Sequence, residues 1–154
     1  MLPSTTERVP THTDEKVNEQ IREQTEENIV RFVDADRQAV EQRLDELDRE
    51  WDIERALEAN AATAVLVGVI LGAAVDKRFF YFPGVVAGFL LQHALQGWCP
   101  PVPILRRMGF RTQSEIDREK YALKALRGDF EHLPTQPNVF QRDAVSEAVA
   151  AVER

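Results

Sequence analysis

The chain has 154 residues, a net charge of −7 and a mean hydropathy of −0.35, which is the size range of a single domain. Its acidity argues against nucleic acid as a partner, because binding to a phosphate backbone needs a basic surface. The single cysteine excludes an intramolecular disulfide framework, and no spacing of histidine, cysteine or carboxylate residues indicates a metal site. The charges are unevenly distributed, with 8 basic and 17 acidic side chains in residues 1–58 but only Asp76, Lys77 and Arg78 in residues 59–98.

The N-terminal part is predicted to be a tail followed by a long helix. Residues 1–13 contain Pro3 and Pro10, have no signal-peptide pattern and predict a disordered tail. Residues 14–58 lack glycine and proline and are rich in helix formers, which predicts one amphipathic helix. The apolar residues of this helix include a seam with coiled-coil spacing. The seam is expected to pack either on the protein's own surface or on a second chain. It comprises Val33, Val40, Leu44, Leu47 and Trp51.

Two apolar segments follow, over residues 59–75 and 79–98, and each approaches the roughly 20 residues that cross a bilayer. They predict an all-α membrane protein with a transmembrane helical hairpin; the alternative is a buried hairpin in a soluble bundle. Small or amide side chains recur at every fourth position of both segments, a pattern that favours close helix packing in membranes. These helix-packing residues are Asn60, Ala64, Gly68 and Gly72 in the first segment and Gly84, Gly88, Gln92 and Gln96 in the second.

The spacing of these residues also predicts a register. If the hairpin folds about Lys77 or Arg78, Gly72 lies opposite Gly84 and Gly68 lies opposite Gly88. In the same register Ala64 lies opposite Gln92, and Asn60 lies opposite Gln96. Glycine lets two helix backbones approach closely. The rows of small residues on the two helices, here called ridges, are therefore expected to contact each other. The alternative partner for either ridge is a second copy of the protein.

Basic residues predict the orientation of the hairpin. Lys77 and Arg78 lie on the turn side, whereas more basic residues lie on the side of the termini. By the positive-inside rule both termini are then cytoplasmic, in the inner membrane of a bacterium. The residues counted on the terminal side are Arg43, Arg49, Arg55, Arg106, Arg107 and Arg111.

Residues 99–133 are predicted to form an interfacial segment and a cytoplasmic helix. Prolines directly after Cys99 end the second span, and a short basic amphipathic segment follows. Its arginines, Arg106, Arg107 and Arg111, are expected to contact lipid headgroups. A capping box at Thr112 predicts a helix from Gln113 to Arg127 that ends at Gly128. Residues 134–154 are predicted to be a linker with a weak helix over 139–152.

His93 and Cys99 are the two residues near the predicted membrane boundary whose side chains carry reactive or ligand-binding groups. An imidazole inside a span needs a partner, so His93 is either a hydrogen-bonded contact, with Asn60 within reach, or a ligand for haem, a pigment or a metal. Cys99 is either a thiol nucleophile or an inert packing residue, and the sequence places no base beside it. No catalytic constellation is recognisable, and no cofactor is expected.

The segment from Arg55 to Arg111 resembles the two-helix membrane domain of the YgaP-like inner-membrane family. The resemblance lies in the glycine-spaced first span, in 76–82, and in Gly97-Trp98-Cys99 followed by Ile104-Leu105. It implies a bacterial inner-membrane hairpin that associates with itself. The rhodanese domain that often precedes this membrane domain has no counterpart here, so sulfurtransferase activity is not implied.

These patterns predict a non-enzymatic membrane protein that acts as a self-associating scaffold or as an accessory subunit of a membrane complex. Its expected partners are membrane lipids, a second copy of itself and other subunits. Two alternatives remain: a thiol or sulfur relay at the membrane face through Cys99, and a haem- or pigment-binding subunit through His93.

Overall fold

The computed structural model describes residues 4–131, 133 and 142–153, and all regular structure within these residues is helical. The all-α fold class is therefore confirmed for the described part of the chain. Short 3-10 helices at Pro10–His12 and Lys77–Phe80 precede the first and fourth α-helices. The α-helices are α1 (Glu15–Arg31), α2 (Arg37–Arg49), α3 (Ile53–Ala74), α4 (Tyr81–Gln96), α5 (Val102–Arg107), α6 (Gln113–Arg127) and α7 (Arg142–Glu153).

The single long helix predicted over residues 14–58 is wrong, because the structure divides this region. The chain leaves the helical conformation after α1 and again after α2. Asp36 and Asp52 have extended backbones, and their carboxylates accept hydrogen bonds from the N–H groups of Ala39 and Arg55. Such N-caps satisfy backbone donors that the first turn leaves free, so each aspartate starts a new helix.

The chain forms two compact units, of which the first comprises residues 1–22 and 51–114. Its core contains side chains from the N-terminal segment, the first turns of α3 and the start of α5. Val9 is 1% exposed, so the disordered tail predicted for residues 1–13 is wrong for the described residues 4–13. The buried core residues of this unit are Val9, Ile53, Leu57, Cys99 and Val102.

The second unit comprises residues 23–50 and 115–154, and its core joins α2 to α6. The central seam residues of α2 are buried there, which supports packing on the protein's own surface rather than on a partner chain. The ends of the seam differ, since Val33 is 55% exposed and Trp51, in the first unit, is 46% exposed. The buried core residues of the second unit are Val40, Leu44, Leu47, Ile116 and Leu123.

Helices α3 and α4 form an antiparallel hairpin, but its register differs from the predicted one. A Cβ atom on Gly68 would lie 2.6 Å from Cδ of Pro83, and one on Gly72 would lie 2.9 Å from the ring of Phe80. A Cβ on Gly84 or Gly88 would meet nothing within 4 Å. The glycines of α3 therefore accommodate a proline and an aromatic ring, and the predicted glycine-to-glycine contact is wrong.

The 3-10 helix Lys77–Phe80 causes this shift. It begins at Asp76, whose carboxylate accepts a hydrogen bond from the N–H of Arg78 at 2.8 Å. The tight turn brings Phe80 back across α3 before α4 has begun. The Cβ positions of Gly84 and Gly88, which form the glycine ridge of α4, are thereby left without a neighbour within 4 Å.

The C-terminal elements agree with the sequence patterns where they are described. Helix α6 has the predicted bounds, and Gly128 after it has φ of +88°, the left-handed conformation of a helix-ending glycine. Helix α7, Arg142–Glu153, covers most of the helix predicted over 139–152. The predicted linker and the first residues of that predicted helix, 134–141, lie outside the described residues.

Replacing Gly68 with leucine should destabilise the hairpin by about 1 to 3 kcal/mol, the usual cost of overpacking, because the new side chain overlaps Pro83. Gly88→Leu is the matched control, since its Cβ position is open and leucine is the better helix former. Thermal unfolding of both variants, followed by circular dichroism, measures the difference. Equal losses of stability would contradict this register.

Leu44→Ala should lower the free energy of unfolding by about 2 to 5 kcal/mol, because Leu44 is 5% exposed in the core of the second unit. Leu126→Ala, at a residue of the same unit that is 52% exposed, should have little effect. Denaturant unfolding provides the comparison. A Leu44→Ala variant that kept normal stability but no longer associated with a second chain would restore the interpretation of the seam as a partner contact.

Candidate functional site

The candidate site lies at the base of the α3–α4 hairpin, where His93 contacts an acidic residue. His93 is in the last turn of α4 and is 2% exposed, and its Nε2 lies 2.7 Å from Oε2 of Glu54 in the first turn of α3. The predicted candidate partner, Asn60, instead donates its amide hydrogen to the carbonyl oxygen of Ala56 at 2.7 Å. The imidazole therefore has the partner it requires, but that partner is a carboxylate.

Arg8 completes a hydrogen-bonded cluster of three residues, which we call the base cluster: Arg8, Glu54 and His93. The guanidinium donates from Nη2 to Oε1 of Glu54 and from Nη1 to the carbonyl oxygen of Ala94, both at 2.9 Å. One side chain of the N-terminal segment thus links the start of α3 to the end of α4.

Gly97 permits this approach of the N-terminal segment. It ends α4 with φ of +80°, and a Cβ atom there would lie 2.2 Å from the carbonyl oxygen of Arg8. No side chain fits in that space, and the left-handed conformation disfavours residues other than glycine. Gly97 therefore serves both to stop the helix and to make room for Arg8.

The base cluster changes the acidity of Glu54. Burial alone would raise the pKa of its carboxyl group, but the hydrogen bond and charge of His93 and the charge of Arg8 outweigh burial, so the pKa lies below the ordinary value of 4.5. The carboxyl group of Glu54 is consequently ionised at neutral pH.

Cys99 is a packing residue in this structure. Its side chain is 4% exposed within the core of the first unit. Burial raises the pKa of the thiol, a hydrogen bond from the backbone of Val102 lowers it by a smaller amount, and the negative charge of Glu54 raises it by less still. Since the thiolate is the nucleophile, these surroundings do not favour a sulfur-transfer role.

Two of the three arginines predicted to contact lipid headgroups are buried, so that prediction is wrong for them. Arg106 is 1% exposed and donates to the carbonyl oxygen of Phe110 at 3.1 Å and to Oδ1 of Asn18 at 2.9 Å. Arg111 is 7% exposed, and its carbonyl oxygen accepts a hydrogen bond from the N–H of Ile53 at 2.8 Å. Arg107 alone of the three is exposed.

A cavity of about 490 Å³ lies between α3 and α4, directly above Cys99. Two of the predicted helix-packing residues, Asn60 and Ala64, line it. The predicted pairs of Ala64 with Gln92 and of Asn60 with Gln96 are not the contacts that form the site, because Asn60 bonds within its own helix and Gln96 is exposed. Sequence periodicity identified the small residues of α3 but not the space they leave.

Among the described residues, no group of three or more histidine, cysteine, aspartate or glutamate side chains could hold a metal ion. The ring of His93 is buried, its Nε2 contacts Glu54, and its Nδ1 has no hydrogen-bond partner among the described residues. His93 does not line the cavity between α3 and α4, so that cavity offers no space for a haem or pigment beside its ring. The geometry favours the interpretation of His93 as a structural contact.

Comparison of the chain with models of protein families, with curated proteins and with solved structures finds no match. The assignment of a function therefore depends on the physical features of the chain itself.

Glu54→Gln should lower the stability of the first unit by about 1.5 to 3 kcal/mol at neutral pH, the range for hydrogen bonds to charged groups. The depressed pKa adds a pH dependence: the contribution of Glu54 is complete above about pH 4.5 and is lost as the pH falls through the lower folded-state value. The Glu54→Gln variant should therefore lose less stability than the natural protein as the pH falls. Thermal unfolding between pH 3 and pH 7 measures it.

Glu58→Gln is the matched control, because Glu58 lies one turn further along α3 and is exposed. It should retain the acid dependence of the natural protein. Identical pH profiles for the Glu54 variant and the natural protein would contradict a role of the base cluster in stability.

Proposed function

We propose that this protein is a small integral membrane protein whose α3–α4 hairpin inserts into a bilayer and which acts as a scaffold or accessory subunit of a membrane complex. The observation that carries the proposal is the exposed apolar surface of the hairpin. Among the described residues, one helical stretch, within Arg37–Ala74, is long and apolar enough to cross a membrane, and 22% of its apolar window is buried. The core helix of a soluble protein would be mostly buried.

The exposed residues of the hairpin support insertion along both helices. Leu66 and Ile70 of α3 are 60% and 54% exposed, and Val85 and Leu91 of α4 are 57% and 62% exposed. Water would solvate such a surface at a high cost, whereas hydrocarbon would not. The aromatic residues Phe79–Phe82 are also exposed beside the charged turn, as in the aromatic belt of a membrane interface.

The ends of the hairpin support the same placement. The charged residues Asp76, Lys77 and Arg78 lie at the turn, and the base cluster lies at the opposite end. Both ends could therefore contact water or headgroups while the uncharged part between them contacts lipid. The excess of basic residues on the side of the termini favours cytoplasmic termini, in the inner membrane of a bacterium.

Self-association is part of the proposal. Gly84 and Gly88 form an open ridge on α4, where a helix of a second copy could approach closely. Exposed valines on α7, Val145 and Val149, offer apolar contacts for other subunits. The resemblance to the YgaP-like membrane domain accords with a self-associating hairpin, and we retain it as part of this proposal.

The two alternative functions receive less support. The thiol relay would need a reactive Cys99, and the cofactor-binding subunit would need an accessible His93. Both side chains are buried in contacts that stabilise the base of the hairpin.

A Cys99→Ala protein with one new cysteine tests insertion and orientation together. The protein should stay with membranes in alkaline carbonate, because the exposed apolar surface of the hairpin requires lipid. A cysteine at Lys77 should react with an impermeant maleimide added outside intact cells, and a cysteine at Gln113 should react only after the membrane is opened.

Recovery of the protein in the soluble fraction, monodisperse without detergent, would refute membrane insertion. Labelling of Gln113→Cys from outside, without labelling of Lys77→Cys, would reverse the orientation and leave insertion intact. Solubilisation in mild detergent and mass measurement would then report whether the hairpin copurifies with itself or with other subunits.

A further inference from the structure

The cavity between α3 and α4 extends along the lower half of the hairpin. Near the turn the helices close on each other, because Gly68 and Gly72 accept Pro83 and Phe80. Below Gly68 the side chains of α3 are too small to fill the space opposite α4. The apolar residues that line it include Leu57, Ala61, Ala64, Val86, Phe89 and Leu90.

The lining suits hydrocarbon better than water. Only Asn60 and Cys99 contribute polar groups, and the amide of Asn60 already donates to Ala56. An ordered water needs 2 to 4 hydrogen-bonding partners, which these walls do not supply, and no charged side chain lines the cavity. Its volume of about 490 Å³ falls in the usual range of small-ligand sites, roughly 300 to 1,000 Å³.

The chain continues from one end of the cavity into a short helix that exposes an arginine and apolar side chains. Cys99, Pro100 and Pro101 form the floor, and α5 begins immediately after them. Helix α5 exposes Ile104, which is 61% exposed, together with Arg107. Met108, which follows the helix, is 68% exposed. An apolar surface with an arginine is complementary to the headgroup region of a membrane that contains anionic lipid.

We propose that this cavity binds an acyl chain of an anionic membrane phospholipid, whose headgroup lies beside Arg107 of α5. The inference depends on the proposed insertion of the hairpin, since the cavity would then open to the hydrocarbon of the bilayer. It goes beyond insertion, because it assigns one retained lipid to a defined site. Apolar contacts along the chain supply affinity, and the arginine supplies headgroup preference.

The test uses the full chain in mild detergent, with palmitoyl-oleoyl phosphatidylglycerol as the anionic probe and the phosphatidylcholine of the same chains as the neutral one. Native mass spectrometry counts lipids retained on the protein. The natural chain should retain phosphatidylglycerol in preference to phosphatidylcholine, and Ala64→Phe, which fills the cavity, should reduce retention at least tenfold. Ala62→Phe is the matched control, because Ala62 is exposed on the same helix and does not line the cavity.

A second measurement fills no volume in the cavity and uses a Cys99→Ala chain that carries Ala64→Cys. Ala64 lines the site and is partly exposed, so bound phosphatidylglycerol should slow the reaction of the new cysteine with a small maleimide at least threefold. Arg107→Gln should remove the preference for the anionic lipid. An unchanged rate with phosphatidylglycerol would overturn the proposal even if Ala64→Phe failed to fold.

Equal lipid retention by the two phenylalanine variants would also overturn it. A loss of oligomer mass in Ala64→Phe, with no lipid on the natural protein, would show that a helix of a second copy occupies the cavity, and it would overturn the lipid assignment. Carbonate extraction of the natural protein separates the two proposals. A protein that resists extraction but retains no lipid refutes only this inference, whereas a protein that is extracted refutes insertion.

Discussion

The pairing of Glu54 with His93 and Arg8 is the interaction on which the base of the hairpin depends. Each of these charged or polar side chains would be costly to bury alone, and together they offset that cost. Their contacts join the first turn of α3, the last turn of α4 and the N-terminal segment. The apolar core around Ile53 and Leu57 lies in the same unit, so polar and apolar contacts act on the same helix ends.

Local sequence signals predicted the elements that local interactions determine. Helix α6 is an example, because its bounds are those predicted from the local pattern at Thr112 and from Gly128, which has a φ of +88°. The starts of α2 and α3 also had a local signal in Asp36 and Asp52, but aspartates within a run of strong helix formers gave no reason to prefer a cap over an exposed side chain.

Contacts between distant parts of the chain could not be predicted in the same way. Arg106 is buried because Asn18 and the carbonyl oxygen of Phe110 accept its hydrogen bonds, and no periodicity of α5 indicates either partner. The pairing of His93 with Glu54 joins residues 39 positions apart. The register of the hairpin likewise depended on how tightly the turn after Asp76 closes, and a small change there moves every opposing pair.

If the hairpin spans a bilayer as proposed, the length of α4 has a consequence for that membrane. Its 16 residues rise about 24 Å, whereas the hydrocarbon core of a typical bilayer is about 30 Å thick. In a bilayer of that thickness, hydrophobic mismatch would draw the headgroups inward around the hairpin, at an elastic cost that grows with each ångström of difference. Two such hairpins share one deformed region when they are adjacent. The membrane would therefore favour their clustering, and it would direct the protein toward thinner bilayers, without any additional contact between protein surfaces.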